Sequence, residues 1–476
     1  MRKIVVIYDD SLRPNREVST ITGDKSYGDT IFKRITLKNR IKSVIQEIRG
    51  VVRILDYTGP ESGQEIRREL LKLEEEVTVL HLYSNYALSD TGEFKTLIEK
   101  AEFICEEYVA VCDGNNAMVY SLGVSSYLKN LEDIVNRQSE ALEIENHAFM
   151  DLSRLSNFLT FITGGFDARF FNALAGDEYT VTKKSTKIDK IKSEYNFYHL
   201  LPENMKMWFV MPYDYREDGN GASYTMERFH MTDIAIRFVH GAVSTEEFKD
   251  IMEKLFYFIG LRGKKEVSRE EAQSVAEDLY RIKLEQRMED LRKLPEYTQF
   301  NQMLAMGTKY QNLDQVVRKY LDLYESSERR QKGSNVLVVG HGDLCFSNIL
   351  YSREANILKL IDPKGALREE DLYTDPYYDL AKLSHSICGC YDFFNSGLYQ
   401  ITLDRDMQIS LTVDAANGPY VEIFRQYLEA NGYDYRQVRL YEAGLFLSML
   451  PYHMDQPGKV FGFIMNAIKI LEEVEK

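Results

Sequence analysis

The stretch at 336–365, VLVVGHGDLCFSNILYSREANILKLIDPKG, decides which fold the C-terminal part of the chain adopts. It opens with an apolar run typical of a buried strand, followed by a His-Gly-Asp tripeptide that ends at Asp343. Asn348 opens a second apolar run, and a turn at 353–356 separates it from a third run that ends at Asp362. This order predicts a β-hairpin that brings the three polar side chains to one end of a small sheet.

These side chains suit phosphoryl transfer. That reaction needs a metal ion to neutralise charge on the triphosphate and a carboxylate to orient the attacking hydroxyl. Asp343 can accept the hydroxyl proton. Asn348 and Asp362 offer the oxygen ligands that magnesium prefers. The stretch therefore predicts a site for transfer of a phosphoryl group.

Motifs in this part of the chain resemble those of the aminoglycoside phosphotransferase, choline kinase and related small-molecule kinase family: H-G-D-x-x-x-x-N at 341–348, I-D-P-K-G at 361–365 and D-P-Y-Y-D-L-A at 375–381. The resemblance implies a bilobal kinase domain that binds ATP and Mg²⁺. It implies that Asp343 is the catalytic base and that Asn348 and Asp362 are the magnesium ligands. His341 would support the catalytic loop, and Asp379 would hold the same loop by hydrogen bonding.

The catalytic loop departs from the family pattern. Cys345 stands where many members have a second histidine, and Phe346 and Ser347 replace the usual Pro-Gly. None of these changes removes a charge that the mechanism requires. They bear on the geometry around the substrate and not on the class of reaction.

The same resemblance implies an N-terminal kinase lobe at 151–231 and a C-terminal lobe at 232–476. In the N-terminal lobe, Lys183 would grip the nucleotide phosphates. Lys184 is the alternative, because strand register decides which of the two side chains points inward. Glu194, on the following helix, is the natural ion-pair partner of that lysine.

Other parts of the nucleotide site follow from the same resemblance. A turn containing Gly164 and Gly165 would cover the phosphates, and Glu227 lies in a segment that resembles the hinge, where main-chain groups hold adenine. The patterns in this lobe predict strands at Tyr179–Lys184, Met207–Tyr213 and Ser223–Arg228 and a helix at Lys187–Leu201.

The first 150 or so residues have a different pattern, in which apolar strand-like runs alternate with helical periodicity. The predicted strands are Ile4–Tyr8, Val51–Leu55, Val77–Leu82 and Tyr108–Cys112. Such alternation predicts a mostly parallel α/β sheet. A polar stretch at 127–145 predicts a helix, with a domain boundary near residue 150. The expected fold class is an α/β N-terminal domain followed by an α+β protein-kinase-like bilobal domain.

The function of the α/β domain has several readings. Its order of elements is compatible with a nucleotide-diphospho-sugar-transferase-like fold, in which Asp113 would be the metal-binding aspartate. The glycine-rich G-x-G-x-R loop typical of sugar nucleotidyltransferases is missing from the sequence. Asp9 and Asp10 at a strand end suggest instead a phosphatase-type aspartate pair. The third reading is a domain that binds a substrate, a partner or a second subunit.

The bulk composition limits the partners. The chain has 476 residues, a net charge of −15 and 28% charged residues, and its pI is near 5.2. An acidic surface argues against nucleic acid and anionic membranes as partners and could suit a cationic substrate. No signal peptide or membrane-span pattern is visible, and the odd number of cysteines, 5, is typical of reduced thiols. These features predict a cytoplasmic protein without membrane insertion.

The sequence therefore predicts an ATP- and Mg-dependent phosphotransferase that acts on a hydroxyl group of a small molecule. A sugar or amino alcohol from cell-surface polysaccharide biosynthesis, such as capsule synthesis, is the expected acceptor. A cytidylyl- or glycosyl-transferring domain fused to such a kinase suits the biosynthesis of surface polysaccharides or of phospholipid headgroups. The alternatives are a pseudokinase that serves as a nucleotide-binding scaffold and a bifunctional kinase–nucleotidyltransferase. Its partners would be the nucleotide and the acceptor, and the sequence leaves an oligomer open.

Overall fold

The computed structural model describes residues 3–73, 77–101, 103, 106–139, 141–163, 174–177, 179–330 and 335–476. The chain forms two compact units. The first consists of Met1–Phe171 with His240–Ala242, and the second consists of Asn172–Val239 with Val243–Lys476. No helix in the described part of the chain is both long and apolar enough to cross a membrane.

The first unit contains strands and helices in alternation. Its strands are β1 (Lys3–Asp9), β2 (Ile31–Phe32), β3 (Ile35–Thr36), β4 (Val51–Tyr57), β5 (Val77–Tyr83), β6 (Tyr86–Leu88), β7 (Tyr108–Cys112), β8 (Asn115–Ser121), β9 (Leu142–Glu145) and β10 (Phe149–Asp151). Its helices are α1 (Arg16–Thr22), α2 (Leu37–Gln46), α3 (Pro60–Leu70), α4 (Thr91–Ala101), α5 (Val124–Lys129), α6 (Leu131–Val135) and α7 (Leu155–Ile162). The four strands predicted from apolar runs are confirmed as β1, β4, β5 and β7.

A six-stranded sheet organises this unit, in the order β4-β1-β5-β8-β7-β9. Strand β1 runs parallel to both β4 and β5, and β7 runs parallel to β9, whereas β8 is antiparallel to β5 and β7. Strand β5 is buried along its whole length, as expected for a strand covered on both faces. Strand β10 pairs with β6, so the unit continues beyond residue 150.

The helix predicted at 127–145 is wrong in its second half. The helical part ends with α6 at Val135, and Leu142–Glu145 forms the edge strand β9 beside β7. The sequence L-E-I-E alternates apolar and acidic residues, which suits an edge strand with one covered face. Pairing with β7 satisfies the backbone groups on one side of this segment, and that gain outweighs a weak helical preference.

The second unit contains a small sheet followed by a mainly helical part. Its strands are β11 (Leu174–Gly176), β12 (Thr180–Ser185), β13 (Pro212–Asp218), β14 (Gly221–Glu227), β15 (Lys264–Glu266), β16 (Val336–Val339), β17 (Ile349–Ser352), β18 (Ile357–Leu360), β19 (Tyr373–Thr374), β20 (Tyr399–Leu403) and β21 (Ile409–Val413). Short 3₁₀ segments occur at Phe346–Asn348, Glu369–Leu372 and Leu450–His453, and a π-helical segment at Asp278–Ile282.

The helices of the second unit are α8 (Ile188–Leu200), α9 (Glu203–Lys206), α10 (Ile234–Val239), α11 (Thr245–Leu261), α12 (Arg269–Glu277), α13 (Lys283–Arg292), α14 (Glu296–Gly307), α15 (Leu313–Arg330), α16 (Tyr378–Ile387), α17 (Tyr391–Asn395), α18 (Gly418–Ala430), α19 (Tyr435–Ser448) and α20 (Pro457–Glu475). Helix α19 is buried along most of its length. It packs against α16 and α20, so α16, which begins within the third motif, is anchored in the core.

The small sheet has the order β11-β12-β14-β13, with α8 packed against it. The strand predicted at Met207–Tyr213 is wrong in its start, because β13 begins only at Pro212. The apolar residues before it pair elsewhere: the Leu360 amide donates to the Trp208 carbonyl at 2.7 Å, and Phe209 forms a bridge with Leu360. That segment therefore joins the hairpin β17–β18 and not the small sheet.

The second unit thus has an antiparallel sheet with one main helix, then a helical part that carries the hairpin β17–β18. This is the bilobal α+β arrangement of protein-kinase-like folds. Together with the α/β first unit, it confirms the predicted fold class. The predicted domain limits at 150 and 231 stay predictions.

Candidate active site

The loop after β16 is held in place by the buried carboxylate of Asp379. The backbone amides of His341 and Gly342 each donate to Asp379 at 2.9 Å. The Arg262 guanidinium also lies 3.4 Å from the Asp379 carboxylate, and the side chains of Arg262 and Asp379 are almost fully buried. Gly342 has φ +80°, and a Cβ there would lie 2.5 Å from the Cβ of Lys364, so only glycine fits. These contacts fix the start of the loop that carries Asp343.

His341 has a structural position. Its Nε2 lies 2.9 Å from the Ile361 carbonyl, and the Asp343 amide lies 3.2 Å from its Nδ1. The ring also stacks on Phe209 at 5.8 Å. Burial lowers the pKa of His341 despite the nearby carboxylates, so the ring is neutral. The two contacts then set its tautomer, with the proton on Nε2, and the residue joins the loop to the hairpin.

Asp343 lies between a cation and an amide. Its Oδ1 is 2.9 Å from Lys382 Nζ. Its Oδ2 accepts a hydrogen bond from Asn348 Nδ2 at 3.1 Å. Burial acts to raise the pKa of Asp343, but Lys382 and the hydrogen bond from Asn348 outweigh it and hold the pKa below its ordinary value. The Asp343 side chain is 44% exposed and can therefore be reached from solvent.

The two predicted magnesium ligands are neighbours across the hairpin. The Ile361 amide donates to the Asn348 carbonyl at 3.0 Å, which places Asp362 one residue further along. Asp362 has φ +54°, a left-handed conformation that is costly for a residue other than glycine and is found at functional sites. Asn348 Nδ2 donates to Asp343, so its amide oxygen is the atom that can face a cation.

This donor set fits magnesium and not a closed transition-metal site. The described residues contain no cluster of three or more histidine, cysteine or acidic side chains suited to a metal. Magnesium is commonly held by one or two protein oxygens together with substrate phosphates. Asp362, with 49% of its side chain exposed, and Asn348 match that pattern.

Lys183 joins the small sheet to the hairpin. Its Nζ lies 2.8 Å from Glu194 Oε2 and 2.8 Å from Asp362 Oδ1. Tyr224 donates to the same Glu194 oxygen at 3.1 Å, which orients the carboxylate. Burial would lower the pKa of Lys183, but Asp362 and Glu194 outweigh it and raise the pKa. Lys184, the alternative lysine, is exposed on the other side of the strand.

A recess opens beside this ion pair. Its walls include Phe197, Phe209, Met226 and Leu360, and Asp362 lies at its edge. Glu227 is the last residue of β14, and the amide of the next residue donates to the Tyr179 carbonyl at 2.8 Å, so this end of the strand is held by main-chain contacts. The predicted phosphate-covering residues Gly164 and Gly165 lie outside the described residues.

Sequence reasoning missed Lys382 and Arg262. Lys382 directly follows the D-P-Y-Y-D-L-A motif, and on a helix it lies one turn from Asp379. That spacing is the signal that could have placed both side chains beside the catalytic loop. Arg262 directly follows α11 and is far in sequence from every motif. No local pattern identifies it as part of the site.

Acidic residues of the first unit were predicted as possible functional groups, and they have internal partners. Asp9 lies 3.0 Å from His81 Nε2, and Asp10 accepts from Ser26 Oγ at 2.7 Å. Asp113 is in the β7–β8 turn, paired with Arg154 at 3.0 Å. Asp9 and Asp10 are almost fully buried, whereas 48% of the Asp113 side chain is exposed, and the predicted roles of these residues stay predictions.

The sequence matches no protein-family model and no curated protein. Among solved structures, the chain is similar to an aminoglycoside phosphotransferase from Streptomyces rimosus in complex with ADP and streptomycin, with 15% identity, 62% of this chain and 97% of that chain covered, and a TM-score of 0.35. A thermostable mutant of another aminoglycoside phosphotransferase, with ADP and hygromycin B, gives 10% identity, coverages of 64% and 96%, and a TM-score of 0.38. An aminoglycoside-3'-phosphotransferase of type VIII gives 13% identity, with 56% of this chain and 84% of that chain covered, and a TM-score of 0.32. At these identities the similarity concerns the fold alone.

Proposed function

We propose that this protein is an ATP- and Mg-dependent phosphotransferase that acts on a hydroxyl group of a small molecule, a sugar or an amino alcohol. One arrangement carries the proposal. Lys183 lies 2.8 Å from both Glu194 and Asp362, and the hairpin that ends at Asp362 also carries Asn348, whose amide contacts Asp343. A phosphate-gripping lysine, metal-binding oxygens and a general base are the groups that phosphoryl transfer requires.

Lys183 would bind the phosphates of the nucleotide. Glu194 keeps the ammonium in place from the side of α8, so Lys183 can release Asp362 and remain paired. Asp362 and Asn348 would then hold magnesium, which neutralises charge on the phosphates when bound. The lobes would lie at 151–231 and 232–476, with the recess beside Lys183 on the nucleotide side.

Asp343 would act on the acceptor. Its low pKa keeps the carboxylate ionised near neutral pH, so it can orient the attacking hydroxyl by accepting its hydrogen bond. As the bond from the hydroxyl oxygen to the γ-phosphorus forms, the bond between that phosphorus and the bridging oxygen of ADP breaks. The hydroxyl proton passes to Asp343, and ADP leaves with the electron pair of the broken bond. A place in cell-surface polysaccharide biosynthesis belongs to this proposal and rests on the preceding α/β unit.

Nucleotide binding is the first test of the proposal. The affinity of the full chain for ADP with magnesium is measured by calorimetry for the wild type, Lys183→Met and the matched control Lys184→Met. We expect Lys183→Met to weaken binding about tenfold or more, since a charge-assisted contact is lost, and Lys184→Met to leave it unchanged. Equal effects of the two variants, or no binding by the wild type, would contradict the proposal.

Turnover separates an enzyme from a nucleotide-binding scaffold. The consumption of ATP is followed with a panel of sugars and amino alcohols as acceptors. Phosphorylated product that accumulates with one acceptor supports the proposal. Tight ADP binding without turnover across the panel, together with no slow hydrolysis of ATP, would favour the scaffold.

A further inference from the structure

Several basic side chains lie around Lys382, the lysine that contacts Asp343. They come from α13, α16, the 3₁₀ segment Leu450–His453 and the first turn of α20. We call them the cationic cluster; its charged members are Lys283, Arg287, Lys382 and Lys459, and the rings of His385 and His453 lie among them. The cluster is the opposite in sign to the protein as a whole, whose net charge is −15.

The cluster begins at the proposed catalytic base. Lys382 contacts Asp343 at 2.9 Å and is 19% exposed. Tyr378 is one helical turn before it, and Lys283 Nζ donates to the Tyr378 hydroxyl at 3.1 Å. The two lysines, from different helices, therefore flank one tyrosine next to Asp343.

The cluster continues around the ring of Tyr391. The ring of His385 stacks on Tyr391 with centroids 4.3 Å apart, and His453 lies 6.4 Å from the same ring. Burial and Lys459 lower the pKa of His453 to about 4. Burial and Lys382 lower the pKa of His385. Both rings are therefore neutral near pH 7 and add no charge to the cluster.

Some nitrogen atoms in the cluster are buried without a partner. His385 is 1% exposed, and its Nε2 has no hydrogen-bond partner in the structure. The Nε of Arg287 is also buried and unpartnered, while its guanidinium stacks over Tyr452 at 4.4 Å. Buried polar atoms of folded proteins are normally hydrogen-bonded, so an acceptor atom on a bound ligand would complete the hydrogen bonding of Arg287 Nε.

Two carboxylates offset part of this charge. Asp343 pairs with Lys382, and Asp392, beside Tyr391, is largely ionised at neutral pH although burial raises its pKa to about 6. Within the described residues, Lys283 and Arg287 contact tyrosines and form no ion pair, so no paired carboxylate offsets their charges. Positive charge concentrated in a partly buried place lowers the free energy of a bound anion more than the same charges would on an open surface.

We propose that the acceptor molecule carries a carboxylate or phosphate, which the cationic cluster binds while the hydroxyl to be phosphorylated faces Asp343. The inference rests on the proposed phosphotransferase function and narrows its acceptor to anionic hydroxyl compounds. It runs against the expectation from net charge, which favours a cationic substrate. Charge-assisted hydrogen bonds from lysine and arginine to such groups are short and strong, and an anion can supply the missing partner of the Arg287 Nε.

Matched probes test the charge of the acceptor. Binding of glycerol, ethanolamine, glycerate and glycerol phosphate is measured by calorimetry on the full chain saturated with ADP and magnesium at constant ionic strength. These probes share a hydroxyl and differ in charge. We expect an anionic probe to bind at least about tenfold more tightly than glycerol and ethanolamine, and the better of the two anions identifies carboxylate or phosphate as the group bound.

Variants locate the bound anion. Lys283→Gln and Arg287→Gln should each weaken binding of the anionic probe about fivefold or more, whereas Lys293→Gln, an exposed lysine at the end of the same helix, should not. Anion binding that is lost in Lys183→Met but kept in Lys283→Gln would put the anion in the nucleotide site and overturn the inference. No binding of either anion, or tighter binding of ethanolamine, would also overturn it. ADP affinity in the same samples shows separately whether the proposed function fails.

Discussion

Lys382 Nζ lies 2.9 Å from Asp343 Oδ1, so the proposed catalytic base is held by a lysine from a helix outside the catalytic loop. The same helix, α16, supplies Asp379, which accepts hydrogen bonds from the loop amides of His341 and Gly342. One helix therefore fixes both the backbone of the loop and the charge on its carboxylate. Because α16 is packed against α19, the position of the base depends on the helical core.

Replacing Lys382 should move the pH profile of the reaction. Lys382 opposes the effect of burial on Asp343 and holds the pKa of Asp343 below its ordinary value. In Lys382→Gln burial remains and the cation is gone, so the pKa of Asp343 rises and the acidic limb of kcat/KM moves to higher pH. Lys382→Arg keeps the positive charge, so the acidic limb of its kcat/KM profile should lie at the same pH as in the wild type. The profiles are measured as ATP turnover from pH 4 to pH 9; identical limbs in Lys382→Gln and wild type would show that Lys382 does not act through Asp343.

Removing Asp362 should separate nucleotide binding from its magnesium dependence. Asp362→Ala takes away a metal-binding carboxylate and also frees Lys183 for the phosphates. ADP binding without magnesium should therefore be unchanged or tighter, while the gain in affinity on adding magnesium should be lost. Calorimetry with and without magnesium gives both values. A magnesium-dependent gain that survives in Asp362→Ala would mean that the metal is held elsewhere.

The contact of Asp379 with Arg262 should matter for stability. Both side chains are almost fully buried, and Asp379 also accepts from two loop amides. Asp379→Ala leaves a buried guanidinium and those amides without their acceptor, which should cost about 3 kcal/mol or more. Scanning calorimetry of the full chain should show a lower midpoint for the second unit only. Asp371→Ala, a half-exposed carboxylate near the same loop, is the control; equal losses would contradict the assigned role.

Asp392 should make stability fall as the pH rises. Burial raises its pKa from 3.8 to about 6, so between these values the folded state binds a proton that the unfolded state releases. The stability cost of this group grows through that window and reaches about 3 kcal/mol above it. The free energy of unfolding of Asp392→Asn, whose side chain cannot ionise, should therefore increase relative to that of the wild type between pH 4 and pH 7. Asp455→Asn, at an exposed site, should show no such gain; a constant difference between Asp392→Asn and wild type would contradict the raised pKa.

The hairpin could be predicted because its information is local. Apolar runs, a turn and polar residues at the strand ends lie within 336–365, and in the structure Asn348 contacts Asp343 while Asp362 follows the residue paired with Asn348. Strand pairing of neighbours in sequence needs no knowledge of the rest of the fold. The order of these motifs was therefore enough to predict how the loop residues are arranged.

Other features depend on contacts distant in sequence. Lys382 and Arg262 reach the catalytic loop only because α16 and α11 pack in the helical core, and no local pattern encodes that packing. The choice between Lys183 and Lys184 depends on the register of β12 with β14, where Lys183 is opposite Tyr224. The edge strand β9 forms because β7 is available beside it, a tertiary effect that overrides a weak local preference.

Transfer of phosphate by the Asp343→Asn variant tests the central claim most directly. The substitution keeps the shape of the side chain and removes the proton acceptor, so ADP binding with magnesium should stay within about twofold of the wild type while turnover of ATP falls by about 100-fold or more. Glu354→Gln, an exposed carboxylate in the turn of the same hairpin, should turn over at the wild-type rate. Turnover in Asp343→Asn equal to that of Glu354→Gln would contradict the assignment of Asp343 as the base, and with it the proposed reaction.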